Sequence, residues 1–395
     1  MSGPALVLRA VIVTPRQILD PGWVVIDGSR ISAVGSGLPP AGQRVVDLGR
    51  RIVAPGYIDL HVHGGAGAQV NGTSVAEVTE SVIAMARFHA SHGTTALLAA
   101  AVADTQDTLL TTVQGIAQAT VRADHGSPTV LGAYLEGPWL NPSRAGAQNP
   151  RALREPSADE FHELLDAAAG SLRLMTIAPE QPGAIGLIEE AAAAGVVVSV
   201  GHTDADFDTT RAAFSAGARH VTHLFNAMPG LCHRQPGPVA AALADPRVTV
   251  ELIADGIHVH PAVLALTVTA APDRVVAVTD ATSAAGLQDG LYRLGELDVK
   301  LAGRRVALAA APETLAGSVL TMDVAVATMV AAGVPLASAV RAATATPASV
   351  AGAVSKGRLA PGADADLVVL EPDLGLAATI IGGRVVHDPR HVLPT

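Results

Sequence analysis

Short apolar runs alternate with Ala-rich amphipathic stretches through the middle of the chain. Eight such runs are Gly56–Leu60, Thr94–Ala99, Thr129–Leu135, Leu172–Ile177, Val196–Val200, His220–Leu224, Val248–Ile253 and Val275–Val278. Their spacing is that of βα units, and near-continuous apolar character marks strands buried on both faces, as in a parallel sheet. Eight units are what a (β/α)8 barrel requires. A doubly wound sheet is the alternative, but no Gly-rich phosphate fingerprint follows the first run. The two chain ends have another texture. Ala5–Val13, Gly22–Asp27, Arg30–Val34 and Gln43–Asp47 alternate like small strands, with turns at Asp27-Gly28 and Pro39-Pro40. Asp366–Leu370 and Thr379–His387 repeat this pattern around Gly382-Gly383. The expected class is therefore α/β. Residues 56–354 are expected to form the barrel, and residues 1–55 with 355–395 a small β-sandwich.

Composition narrows the setting. Of the 395 residues, 49% are hydrophobic and 16% charged, so a large core is available. Acidic residues outnumber basic ones, 36 to 26, for a formal charge of −10. Such a surface repels polyphosphate and argues against nucleic acid as a partner. Cys232 is the one cysteine, so no intramolecular disulfide forms. Arg9 and Pro15 interrupt the first apolar stretch, which does not read as a signal peptide. The longest uncharged run, Val324–Val340, contains Pro335 and reads as a buried helix pair, not a membrane span. A cytoplasmic protein without membrane attachment is the expectation.

The polar residues that end these runs carry the chemistry. The first run leads into His61 and His63, the third into Glu136, the fifth into His202, the sixth into His223 and the eighth into Asp280. Barrel active sites assemble at the C-terminal ends of several strands. His61 and His63 fall on one face of an extended chain, so both imidazoles can share one cation. A carboxylate buried at a strand end, as at Glu136, is costly unless paired or bound to a cation; its structural alternative is an ion pair with an arginine such as Arg144. His202 and His223 beside a carboxylate make an N/O donor set that suits zinc, iron, cobalt and manganese. Asp280 can take a proton from water and return it to a leaving group; its alternative is a helix N-cap. Some metal barrels bridge two cations with a carbamylated lysine on strand four. The only lysines here, Lys300 and Lys356, lie outside the first six runs, which leaves Glu136 as the bridging or sole acidic ligand. Asp255 and His258 follow the seventh run, and Arg234 offers a forked guanidinium suited to phosphate or carboxylate.

The segments APGYIDLHVHG, YLEGPWLNP, GHT, VTHLFNAMP, ELIADGIHVHP, VTDA, TLAGS and GRLAPGADADLVVL run in order from Pro55 to Leu370. On them the chain resembles the N-acetylglucosamine-6-phosphate deacetylases of the amidohydrolase superfamily. The resemblance implies a barrel bearing one or two divalent metal ions and a β-sandwich built from both ends. Glu136, His202 and His223 match the main metal ligands; His61 and His63 match a second site that some members lack. Asp280 matches the catalytic acid/base. Ala147, Asn226, Ala227, Arg234, His258 and Leu315-Ala316-Gly317 match substrate contacts, with Asp255 beside His258. The arginine matching Arg234 reaches the sugar phosphate of the neighbouring subunit, which implies a homodimer. Gln148 stands where many members carry histidine; it can hydrogen-bond but cannot carry a proton. The implied reaction is release of acetate from N-acetylglucosamine 6-phosphate. Its rivals are another amidohydrolase acting on N-acyl or cyclic amides, and a non-catalytic sugar-phosphate-binding barrel.

Overall fold

The computed structural model describes residues 5–41, 43–122 and 126–394. Eight parallel strands form one sheet in chain order: Tyr57–Val62, Thr94–Val102, Thr129–Glu136, Leu172–Ile177, Val197–Val200, His220–Val221, Thr249–Ile253 and Val275–Val278. All eight expected runs are thus strands, and an α-helix lies between each of the first seven and the next. The first and eighth strands close the ring through a parallel bridge between Val62 and Ala281, with the Asp280 N–H bonded to His61 O at 2.9 Å. Buried Asp59 reinforces the seam. Its carboxylate accepts the Thr279 hydroxyl at 2.6 Å and the Thr279 and His61 N–H groups at 3.2 Å.

Both chain ends build a seven-stranded mixed sheet. The strands Leu6–Val13, Ile18–Asp27, Arg30–Ser36 and Arg44–Pro55 are joined by Leu367–Leu370, Leu376–Ile381 and Arg384–His387. The sheet curls on itself: Gly383 donates to Ala365 O, and Ala365 to Ser29 O, so the tip of the last hairpin meets the tip of an early one. Alternation along one strand serves two cores. Val53 lies in the core enclosed by this sheet, while Ile52 and Ala54 face the barrel's core. The run expected as a buried helix pair forms Met322–Ala331 and Leu336–Ala342, separated at Pro335. Among the described residues no helix is long and apolar enough to cross a membrane.

One element is absent from the sequence reading. Between the eighth strand and Met322–Ala331 the chain forms a four-stranded antiparallel sheet, Gly290–Leu294, Leu297–Ala302, Arg305–Leu308 and Ala311–Leu315. Leu294, Val299, Leu301 and Val306 pack with Val102 and Ala284 beneath it. Bonds from Asn149 to Glu296 (3.0 Å), from Ser283 to Arg293 O (2.8 Å) and from Arg304 to Asp255 O (3.0 Å) tie it over the C-terminal mouth of the barrel.

Candidate metal centre

The turn after the first strand begins at Gly64. A side chain there would have its Cβ 2.4 Å from Ala68 O and 2.6 Å from Ser283 N, so only glycine lets the chain turn under the returning strand. His61 and His63 therefore end their strand pointing into the ring, with their Nε2 atoms 3.0 Å apart. Glu136 lies across from them: Oε1 is 3.3 Å from His61 Nε2 and Oε2 is 3.2 Å from His63 Nε2. The same Oε1 is 3.2 Å from His202 Nε2 and 2.9 Å from His223 Nε2. Asp280 Oδ1 is 3.1 Å from His63 Nε2. The six residues form two buried triads, His61–His63–Asp280 and Glu136–His202–His223, with the Glu136 carboxylate between them. His202, His223 and Asp280 have φ of +46°, +25° and +51°. Backbone strain of this kind in non-glycine residues persists where the surroundings over-determine it, commonly at functional sites.

The outer ring nitrogens decide what the inner ones can do. His63 Nδ1 faces Ala100 O at 2.8 Å, and His202 Nδ1 faces Arg144 O at 2.9 Å. A carbonyl oxygen only accepts, so each Nδ1 carries hydrogen and, in the neutral ring, each Nε2 turns a lone pair inward. His61 Nδ1 faces the Glu251 carboxylate at 3.0 Å, with the same consequence. Lone pairs thus converge on carboxylate oxygens at about 3 Å, an arrangement that only a cation or added protons can satisfy. Electrostatics agrees. Burial disfavours a charge on His61, yet Glu136, Glu251 and Asp280 push its pKa well above the usual value. His63 is likewise raised, to about 9, by Asp280 and Glu136 against the opposing effect of burial. Burial would raise the Glu136 carboxyl, but the surrounding imidazoles, His61 foremost, hold it well below the usual range. No lysine or arginine among the described residues pairs with Glu136, Glu251 or Asp280. The donor set is that of a site for divalent cations.

Both structural alternatives fail. Arg144 pairs with Asp204 at 2.6 Å, not with Glu136. Asp280 caps no helix; irregular chain and the antiparallel insert follow it.

Above the triads lies a cavity of about 290 Å3, at the small end for ligand pockets. Ala147, Gln148, Asn226, Ala227, His258, Leu315 and Gly317 line it, together with His63, Glu136, His202, His223 and Asp280. Gln148 does more than line the wall: its amide nitrogen donates to Glu136 Oε2 at 2.5 Å, and its oxygen accepts the Ala103 N–H at 2.7 Å. Asp255 is set one step back. It accepts His258 Nδ1–H at 2.7 Å, leaving Nε2 for the cavity. Gly317, at φ +56°, passes so close that a Cβ there would lie 2.8 Å from Asp280 O. Two expected contacts stand elsewhere. Ala316 is buried behind the wall, and Arg234 is outside the lining, on an exposed loop with Cys232. Leu294, Glu313 and Thr314 bring the insert into the wall.

Glu251 is the residue that the sequence reading missed. It is fully buried in the seventh strand and accepts from His61, His220 and the His223 N–H. Its signal was a lone charge inside an apolar run.

A sequence profile of the amidohydrolase family matches residues 52–386. The chain belongs to the amidohydrolase family. Among curated relatives of this amidohydrolase, the N-acetylgalactosamine-6-phosphate deacetylase of Escherichia coli O157:H7 is 37% identical, covering 94% of this chain and 97% of the relative. The N-acetylglucosamine-6-phosphate deacetylase of Bacillus subtilis (strain 168) is 33% identical, over 98% of each. Among solved structures, a mutant N-acetyl-D-glucosamine-6-phosphate deacetylase from Mycobacterium smegmatis, in complex with N-acetyl-D-glucosamine-6-phosphate, superposes with a TM-score of 0.92 at 41% identity. That match covers 98% of this chain and all of the other.

Proposed function

We propose that this amidohydrolase removes the acetyl group from an N-acetylhexosamine 6-phosphate, N-acetylglucosamine 6-phosphate first, releasing acetate and the amino sugar phosphate. The observation that carries the reading is the pair of adjacent triads, with the Glu136 carboxylate between them, at the floor of a cavity of about 290 Å3. His61, His63 and Asp280 would hold one divalent cation, and Glu136, His202 and His223 the other. When bound, such ions supply Lewis acidity and lower the pKa of water toward ~7. The chain's own residues do the rest. Asp280 accepts the proton of the attacking water at a carboxylate oxygen. It then returns that proton to the amine nitrogen as the C–N bond breaks. Gln148 keeps Glu136 aligned through its amide. His258, anchored by Asp255, presents Nε2 to the sugar.

The cavity wall contains no lysine or arginine among the described residues. A phosphate seated there therefore takes its strongest partner from outside, and Arg234 of a neighbouring subunit in a homodimer is our candidate. The C4 epimer, N-acetylgalactosamine 6-phosphate, is the second substrate candidate, because a relative named for it lies in the same identity range. Acetate release from both epimers, each with and without the 6-phosphate, tests the reading. Turnover of the phosphorylated sugars only is expected; equal turnover without phosphate, or none on any of the four, overturns it.

A further inference from the structure

Glu251 lies beneath the metal centre and touches neither the cavity nor the proposed substrate. Its carboxylate accepts three hydrogen bonds, all from histidines. Oε2 accepts His61 Nδ1–H at 3.0 Å and the main-chain N–H of His223 at 3.1 Å. Oε1 accepts His220 Nε2–H at 3.0 Å, and His220 is braced in turn by Thr249 Oγ1 at 2.6 Å. His220 ligates nothing in either triad, so it is a buried post holding Glu251 in place. Of the two ligands that Glu251 contacts, only His61 is held through its side chain. The other imidazoles take their orientation from neutral carbonyls, at Ala100 and Arg144, or have no outer partner, as at His223 Nδ1.

The geometry points to Glu251 as a positioning residue that selectively builds the His61–His63–Asp280 half of the centre. This rests on the metal-centre reading proposed above. Two physical effects act in the same direction. A carboxylate that only accepts keeps hydrogen on His61 Nδ1 and a lone pair on Nε2, and it makes the imidazole a stronger donor toward a cation. It also contributes a third buried negative charge beside Glu136 and Asp280. One divalent cation leaves that set of carboxylates negative, so a second ion is drawn in. The Glu136–His202–His223 half gains only a main-chain bond from Glu251, and a carbonyl oxygen at the same place can keep it.

The test is metal retention by the purified full-length protein, dialysed against graded chelator and followed by elemental analysis. Wild type is expected to hold two equivalents. In Glu251→Gln the second equivalent is expected to bind about 10- to 100-fold more weakly, while the first is held as in wild type. Glu251→Asp keeps the charge but withdraws it by one methylene, and is expected to weaken the second equivalent by a smaller factor. Should the Gln variant not fold, the Asp variant decides alone. Two equivalents held at wild-type strength in whichever variant folds overturn the role of Glu251. Equal weakening of both equivalents also overturns it, because that is what a merely structural defect produces. A wild type that holds no metal overturns the metal-centre reading itself, and this inference with it.

Discussion

Among the described residues, two clusters of carboxylates that lie wholly or partly out of solvent are built differently. Under the terminal sheet, Asp364 and Asp366 meet Lys356 Nζ at 3.1 and 2.6 Å. Asp366 also accepts the Gly382 N–H at 2.8 Å, Asp364 the Ser355 hydroxyl at 3.0 Å, and Arg30 reaches Asp364 from the surface. The chain supplies every counter-charge. At the barrel mouth, Glu136, Glu251 and Asp280 meet five imidazoles and no ammonium or guanidinium. The first cluster is complete as folded, and the second balances its charge only by taking up protons or divalent cations. Buried charge by itself therefore does not mark a functional site; buried charge without its own counter-ion does.

Each experiment below tries to collapse that distinction. The largest effect should come from metal removal. Exhaustive chelation is expected to abolish acetate release and lower the melting temperature, and zinc, cobalt or manganese to restore both. Activity that survives with metal below a tenth of an equivalent by elemental analysis would make the two clusters alike. Next comes Asp280→Asn, expected to lower kcat by about 10²- to 10⁴-fold while the Glu136–His202–His223 equivalent stays bound. Steady-state kinetics with metal analysis on the same sample checks this, and wild-type kcat removes Asp280 from its proton-transfer role.

The terminal cluster should respond in the opposite sense. Lys356→Met leaves buried Asp366 without a counter-charge, while Asp364 keeps Arg30, and is expected to cost about 3 kcal/mol of stability with kcat unchanged. Urea denaturation read beside the acetate assay separates the two effects. Burial lowers the Lys356 pKa, but Asp366 and Asp364 outweigh it, so the folded value lies above the usual 10.5. A raised lysine pKa means that its stabilisation is complete below about pH 10.5 and is lost as pH rises through the folded value. The contribution of this cluster to stability should thus be full and independent of pH between pH 6 and 9, and be lost in a fall at strongly alkaline pH that Lys356→Met lacks. The smallest effect is expected at the exposed loop. Arg234→Ala should raise KM for the phosphorylated substrate about tenfold, equivalent to one charge-assisted hydrogen bond, with metal content unchanged. An unaltered KM takes Arg234 out of phosphate binding.

Much of the site is legible along the chain because a parallel barrel delivers the C-terminal ends of its strands to one rim. Polar residues that close apolar runs must then meet, and all six of His61, His63, Glu136, His202, His223 and Asp280 do so. Glu251 and Asp59 sit inside runs, where the apolar average conceals them, although a lone carboxylate in a buried strand is itself a signal. The antiparallel insert over Gly290–Leu315 has alternating burial and glycine turns at Gly295 and Gly303. Its pattern is local, but nothing local says that it folds over the mouth.

What the amino-acid sequence determined alone is the order of strands, the identity of the donor side chains and the rim on which they gather, since side-chain period and strand direction are properties of the chain. Only the tertiary structure decided the tautomers, through carbonyls at Ala100 and Arg144 that lie far from His63 and His202 along the chain. It also decided that Glu251 grips His61 and that Gln148 bonds Glu136 instead of merely lining the cavity. The reason is physical: proton placement and counter-charge depend on what packs against an atom from other strands, and sequence spacing does not contain that information.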